Sequence, residues 1–323
     1  MSDSRLLSLG CLGLGLLFVA SLFVGAGDLS FASVWSGGVD GEALRLLLVS
    51  RLPRTAAATL AGGSLAVAGL LMQMLSSNRF VEPSTIGTTE AAGLGMVVVT
   101  LLAPGAPVLA KALVAAMFAI AGTAVFLALI RRLRLKSGLL VPLVGLILAG
   151  IIQSAAHFLA YRTDLLQSLA AWSSGDFSMV LKGRYELLWI GAALGAVALF
   201  AADRFTLAGL GRDVSVNLGL AYERVVAIGL VIVSLIAAVT VATIGSIPFV
   251  GLVVPNLVTM TMGDNGRRIV PFVALWGATL VLGCDVLGRI LRYPYEIPVG
   301  VIMGVAGSVL FLILLAGRRT AHG

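Results

Sequence analysis

Residues 224–243 read RVVAIGLVIVSLIAAVTVAT. After Arg224 the run carries no charge, and its apolar residues do not alternate with polar ones. A helix needs about 20 apolar residues to cross the hydrocarbon core of a bilayer. A barrel strand would alternate with a period of two instead. Helices and closed barrels are the two structures that satisfy their own backbone in lipid. The stretch therefore predicts a membrane-spanning helix. Comparable runs occupy 6–26, 52–75, 85–103, 107–130, 139–161, 186–202, 245–262, 270–288 and 298–316. The expectation is an all-α integral membrane protein with about ten transmembrane helices, forming one domain over 1–323. Polar gaps near 77–84, 104–106 and 244–246 read as turns, because Pro and Gly punctuate them.

Composition agrees. The 323 residues are 59% hydrophobic and 11% charged, against about 25% charged in a soluble domain. Mean hydropathy is +1.07. A soluble core of this size would lack the polar residues to cover it. The 39 glycines suit helices that pack closely in lipid. Cys11 and Cys284 sit in apolar runs and read as buried thiols. The first apolar run, Leu6 to Ala26, exceeds the roughly 7–15 residues of a signal-peptide core and reads as a membrane helix. The net charge of +7 fits loops retained on the cytoplasmic side. No basic run is interleaved with aromatics, so no nucleic-acid partner is expected.

Loop charge sets the orientation. With the N-terminus inside, thirteen Lys and Arg fall on cytoplasmic segments and nine outside, in the expected sense. The run Arg131-Arg132-Leu133-Arg134-Leu135-Lys136 is the densest cluster. Both termini are expected in the cytoplasm. The outside set includes Arg51, Arg54 and Arg289 and is large for a chain with no external partner.

Nothing resembles an enzyme. None of Lys111, Lys136 and Lys182 lies in a phosphate-binding G-x-x-x-x-G-K frame, so any ATP and Mg must be held by another chain. No catalytic, metal or cofactor site is expected here. Proton-coupled carriers use buried carboxylates. Glu90, Glu186, Asp285 and Glu296 all lie near predicted helix ends, which favours solvated or interfacial roles. An ion-coupled carrier is nevertheless a rival reading, as is a membrane scaffold without transport activity.

Arg51-Leu52-Pro53-Arg54 opens the second predicted helix, where a first-turn proline is tolerated. Residues three apart share a helix face, so the two arginines can present an external positive patch. Interfacial snorkelling is the other reading. Asn78 to Gly87 links two helices inside, and reads equally as an ordinary turn. In Leu210–Leu220, Asp213 can cap a short helix and Gly219 can end it. Its apolar side suits docking to a partner or lying against the membrane. Residues 244–256 are apolar but broken by Pro248 and Pro255. Met72, Gln73, Met74 and Gln153 are candidates to line a passage between helices, with simple packing as the alternative.

In order, the chain carries R-L-P-R (51–54), N-x-x-x-E-P-x-x-x-G (78–87), L-G-x-x-x-x-x-x-L-G (210–219), G-x-I-x-F-V-G-L-V-V-P (245–255), D-x-x-x-R (285–289) and E-x-P-V-G (296–300). Together these resemble the permeases of iron-siderophore, haem and vitamin B12 uptake, the type II ABC importers, from about Arg51 to Leu315. The resemblance implies a homo- or heterodimer of permeases with two cytoplasmic ATPase subunits. A periplasmic or lipid-anchored binding protein would dock on Arg51, Arg54 and Arg289. Leu210, Gly211, Asp213, Asn217 and Gly219 would form the ATPase-coupling segment. Asn78, Arg79, Ser137 and Gly138 would line a cytoplasmic gate. Arg79 and Phe80 replace the usual Pro and Leu, and Asn256 replaces a usual basic residue. The latter looks like a branch handling ferric siderophores of catecholate type, with haem or cobalamin as the alternative cargo.

Overall fold

The computed structural model describes residues 3–25, 41–133 and 140–319, and everything below concerns those residues. They form helices joined by loops, with no strand. Six helices are long and apolar enough to span a bilayer. They are α1 (Asp3–Phe23), the composite α2–α3 (Gly41–Leu46 and Leu52–Leu75), α5 (Val108–Leu133), α6 (Leu140–Arg162), α11 (Tyr222–Ile244) and α13 (Gly266–Ile290). A bent helix pair is apolar enough to make a seventh. In it α8 (Leu188–Phe200) meets α9 (Ala202–Gly209) at a bend of 69°. Three shorter apolar stretches complete the set: α4 (Thr88–Leu102), α12 (Val250–Met262) and Val299–Leu314 of α14 (Val299–Arg319). Each of the ten expected segments thus has a helical counterpart. Two short helices, α7 (Leu166–Ser174) and α10 (Arg212–Asn217), lie between them.

Helix α3 is the axis of the bundle. It is buried along most of its length, whereas α1, α5 and α6 turn much of their surface outward. Leu9, Leu16, Leu113, Ile147, Phe158 and Val305 are exposed, as lipid-facing side chains should be. Small residues let α3 reach its neighbours. A Cβ at Gly62 would overlap the Gly277 carbonyl of α13, and a Cβ at Gly69 would overlap the Gly251 backbone of α12. Such backbone proximity is how helices associate where apolar burial gives no driving force.

Two expected spans differ in kind from the prediction. The segment 245–262 is helical only from Val250, and its 13 residues rise about 20 Å, short of the roughly 30 Å core. Helix α4 has 15 residues. Both are entered through irregular stretches, 76–87 and 245–249. Irregular backbone at membrane depth must be buried in protein or line a cavity. Accordingly Val81, Glu82, Ile86, Gly245 and Ile247 are buried. The expected polar turn at 77–84 is therefore largely an interior loop.

The second span also starts earlier than Arg51. A π turn over Leu47–Arg51 joins α2 to α3, so Arg51-Leu52-Pro53-Arg54 sits within a long helix. The wide turn falls immediately before Pro53, which lacks a donor for the helical ladder.

Candidate translocation site

Three polar assemblies interrupt the apolar bundle, one at each end and one within it.

At the end carrying Arg292, α1, α3 and α13 are tied by buried charge. Arg54 reaches Asp285 from Nη2 at 2.8 Å and Glu296 from Nη1 at 2.6 Å. Arg289 Nη2 donates to the other Asp285 oxygen at 2.6 Å. Its Nη1 donates to the Ser21 and Val24 carbonyls at 2.9 and 2.8 Å. Arg51 Nη1 donates to the Leu22 carbonyl at 2.9 Å. These carbonyls close α1, where a helix leaves its last acceptors unpaired. The two carboxylates balance two of the three guanidinium charges, and the α1 carbonyls accept hydrogen bonds from Arg51 and Arg289. Expectation and structure part here in two respects. Arg51 and Arg289 are only 6% and 3% exposed, so they are interior struts and not a solvent-facing patch. Asp285 is fully buried and not solvated; its two arginine partners make that burial tolerable. Glu296 is partly exposed, as an interfacial residue should be.

At the opposite end, carrying Asp264, a cavity of about 260 Å³ gathers several expected residues. Gln73, Met74, Asn78, Arg79 and Leu210 all line it. Ser77 Oγ donates to the Gly209 carbonyl at 2.9 Å, tying the 76–87 loop to α9. Arg79 pairs with Asp264, and Asn256 Nδ2 donates to the Arg79 carbonyl at 2.8 Å. Asn256, where a basic residue was expected, thus serves as a backbone clamp. Gln73 Nε2 donates to the Gly251 carbonyl at 3.2 Å. Met72 is fully buried and belongs to the core, not to a passage. Ser137 and Gly138 lie outside the described residues.

Beside this cavity, α10 begins after Gly211 and ends in a left-handed turn. Gly219 has φ +80°, its N–H donates to Val216 O, and Leu220 N–H donates to Ser215 O. This is the glycine-terminated helix end expected at 219. Asp213 differs from expectation: the capping position is Gly211 and no side chain caps the helix. Asp213 lies in the first turn, where its charge suits the helix dipole. Ser215 instead anchors the segment through the Leu207 and Gly211 carbonyls, at 2.7 and 2.6 Å. Leu210, Val214, Val216 and Leu218 are exposed, giving this end an apolar surface beyond the bundle.

Gln153 does not join Gln73 and Met74. It lines a separate cavity of about 120 Å³ between α4, α6 and α7, with Thr89, Glu90, His157, Trp172 and Ser173. Sequence reasoning gave His157 no role and placed Glu90 at a solvated helix end; the structure makes Glu90 half-buried.

A further residue missed by sequence reasoning is Glu82. It is buried, accepts Ser84 Oγ at 2.7 Å and accepts the Phe249 N–H at 3.1 Å. Phe249 has φ +66° and immediately precedes α12. The carboxylate therefore caps the inward-pointing start of a half-length helix, where a negative charge is favoured. The one available signal was the Glu-Pro pair in the 78–87 stretch, whose partner lies 167 residues away.

Comparison with known proteins places the sequence and the fold. The petrobactin import system permease of Bacillus subtilis is 45% identical over 94% of this chain and 96% of its own length. The ferric-anguibactin transport system permease of Vibrio anguillarum is 39% identical over the same shares of the two chains. A metal-chelate-type ABC transporter solved in an inward-facing conformation superposes with a TM-score of 0.80, at 26% identity, covering 98% of this chain and 99% of that one. The model of the FecCD transport family matches residues 13–317. This multi-span membrane protein belongs to the FecCD transport family.

Proposed function

We propose that the chain is the permease of an ATP-driven importer that carries a ferric siderophore across a bacterial cytoplasmic membrane. The observation that carries this is the kinship with permeases for petrobactin and anguibactin, which extends over almost the entire chain. A second permease, identical or different, completes the passage. Two ATPase subunits bind ATP and Mg at the Asp264 end. A periplasmic or lipid-anchored binding protein delivers cargo at the Arg292 end. Both termini then face the cytoplasm.

The polarity of the molecule supports this division. The exposed apolar residues Leu210, Val214, Val216 and Leu218 suit a seat in the ATPase, held by Gly211, Asp213, Asn217 and Gly219. Asn78 and Arg79, beside the same cavity, suit the inner gate, with Gln73 and Met74 on its wall. Ser137 and Gly138 keep the gate role implied by resemblance. At the other end, Arg51, Arg54 and Arg289 fix the docking platform from within. The solvent-facing charge for an acidic partner comes from Arg45, Lys182, Arg184 and Arg292, all exposed. Alternating access follows: ATP binding draws the coupling segments together, and the passage changes sides without altering the chelate.

The test is uptake of iron-55 petrobactin by vesicles containing the permease pair, ATPase and binding protein. ATP-dependent accumulation is expected. Uptake that survives without ATP and collapses with the proton gradient would overturn the reading.

A further inference from the structure

The half-buried carboxylate of Glu90 stands in contrast to Asp285. Asp285 has two arginine partners. Glu90 accepts one hydrogen bond from another residue, Thr89 Oγ1 at 3.0 Å, and makes no salt bridge among the described residues. An ionisable side chain within membrane helices is costly and marks substrate or ion paths. Its place in the first turn of α4 makes the charge tolerable, and the side chain lines a polar cavity.

The surrounding groups share one chemical sense. His157 Nδ1 lies 2.9 Å from the Gln153 carbonyl. In the neutral ring with Nδ1 donating there, Nε2 is an acceptor. Gln153 supplies an amide oxygen, and Trp172 supplies an aromatic ring, which attracts cations. No Lys or Arg lines this cavity. Gln153, Ser154 and His157 are exposed near the middle of the 23-residue α6, where lipid would be an unfavourable neighbour for all three.

We propose that Glu90, Gln153, His157 and Trp172 form a station on the passage wall that takes a protonated amine of the passing chelate. This inference rests on the permease reading and deepens it: the cargo class is an iron chelate with a cationic backbone. Glu90 supplies the charge, and the neutral acceptors orient the ammonium hydrogens. A single carboxylate with uncharged neighbours makes a weak contact, which suits cargo that must leave again.

The experiment uses the complete importer in vesicles, with saturating binding protein. The probes are a ferric catecholate built on a polyamine backbone and the same chelate with its amines acetylated. Uptake of the amine form is expected to exceed that of the acetylated form by about tenfold or more, the scale of one charge-assisted hydrogen bond. Glu90→Gln should abolish this preference by slowing the amine form alone, and Glu90→Asp should retain most of it. Stimulation of ATP hydrolysis by the binding protein reports that each variant is assembled. No preference in the unaltered importer, an unchanged preference in Glu90→Gln, or equal slowing of both chelates overturns the station. The underlying passage is tested apart, in a chain with Cys11 and Cys284 replaced by Ser. There, Gln153→Cys should react with a water-soluble thiol reagent. Failure to react overturns the passage placement; reaction combined with an unchanged preference overturns the station only.

Discussion

Arg54 and Asp285 are 231 residues apart in sequence and joined at 2.8 Å in space. The pair fastens α3 to α13, and Arg289 extends the fastening to the last carbonyls of α1. Removing Asp285 would leave two guanidiniums facing each other in a buried site. Breaking a buried pair in this way costs about 3–5 kcal/mol. Asp285→Ala is therefore expected to lower the thermal midpoint of the detergent-solubilised protein more than Arg54→Ala does, since Asp285 keeps Arg289 in the latter. The reverse order in a melting curve would contradict the assignment of Asp285 as the hub.

Backbone contact at Gly69 gives a second prediction. A methyl group there would overlap the Gly251 backbone, whereas one at Gly150 would meet nothing within 4 Å. Gly69→Ala should destabilise the protein by about 1–3 kcal/mol, as overpacking does. Gly150→Ala should stay within about 0.5 kcal/mol. Expression yield and thermal stability of the two variants, measured side by side, decide the matter.

The coupling segment makes a third. Gly219 holds φ +80°, a conformation that costs other residues about 1–2 kcal/mol. Gly219→Val should disturb the end of α10 without touching the bundle. Val214→Glu should leave the fold intact and charge the exposed apolar face. Both variants are expected to lose ATPase subunits during purification, while binding-protein capture at the far end persists. Retention of the ATPase in both would remove the docking role from this segment.

Glu82 offers a fourth. Deleting its carboxylate strands the Phe249 N–H and the Ser84 hydroxyl in a partly buried site. An unpaired buried group costs about 1–3 kcal/mol. Glu82→Ala should be destabilising by that order, and Glu82→Gln, which keeps an acceptor oxygen, by less. Equal stability of the two variants would show that the cap contributes nothing.

The spans were readable from sequence because lipid imposes a simple rule on composition. Residues 224–243 are the clearest instance: the helix runs from Tyr222 to Ile244. Local turn chemistry was readable as well, as the positive φ of Gly219 confirms. What hydropathy could not convey is depth. The stretch 245–262 is apolar throughout, whether its start is helical or extended, so the half-length α12 looked like a full crossing. Burial of Arg51, Asp285 and Arg289 was equally hidden. A charge near a helix end reads as solvated until its partner is known, and these partners come from remote parts of the chain. Gln153 was readable only as a candidate to line a passage, because its neighbours Glu90 and Trp172 are assembled by packing of α4, α6 and α7 alone.

The glycine contacts along α3 carry a mechanical corollary. Where backbone rests directly on backbone, there are no side chains to rearrange and hence no slack to absorb sliding. Helices α3, α12 and α13 must therefore travel as one keel during transport. Compliance is left to the bend at Ala201 and to the irregular approaches at 76–87 and 245–249; under the coupling role proposed for α10, a stroke applied there arrives at the keel as rotation of a rigid body.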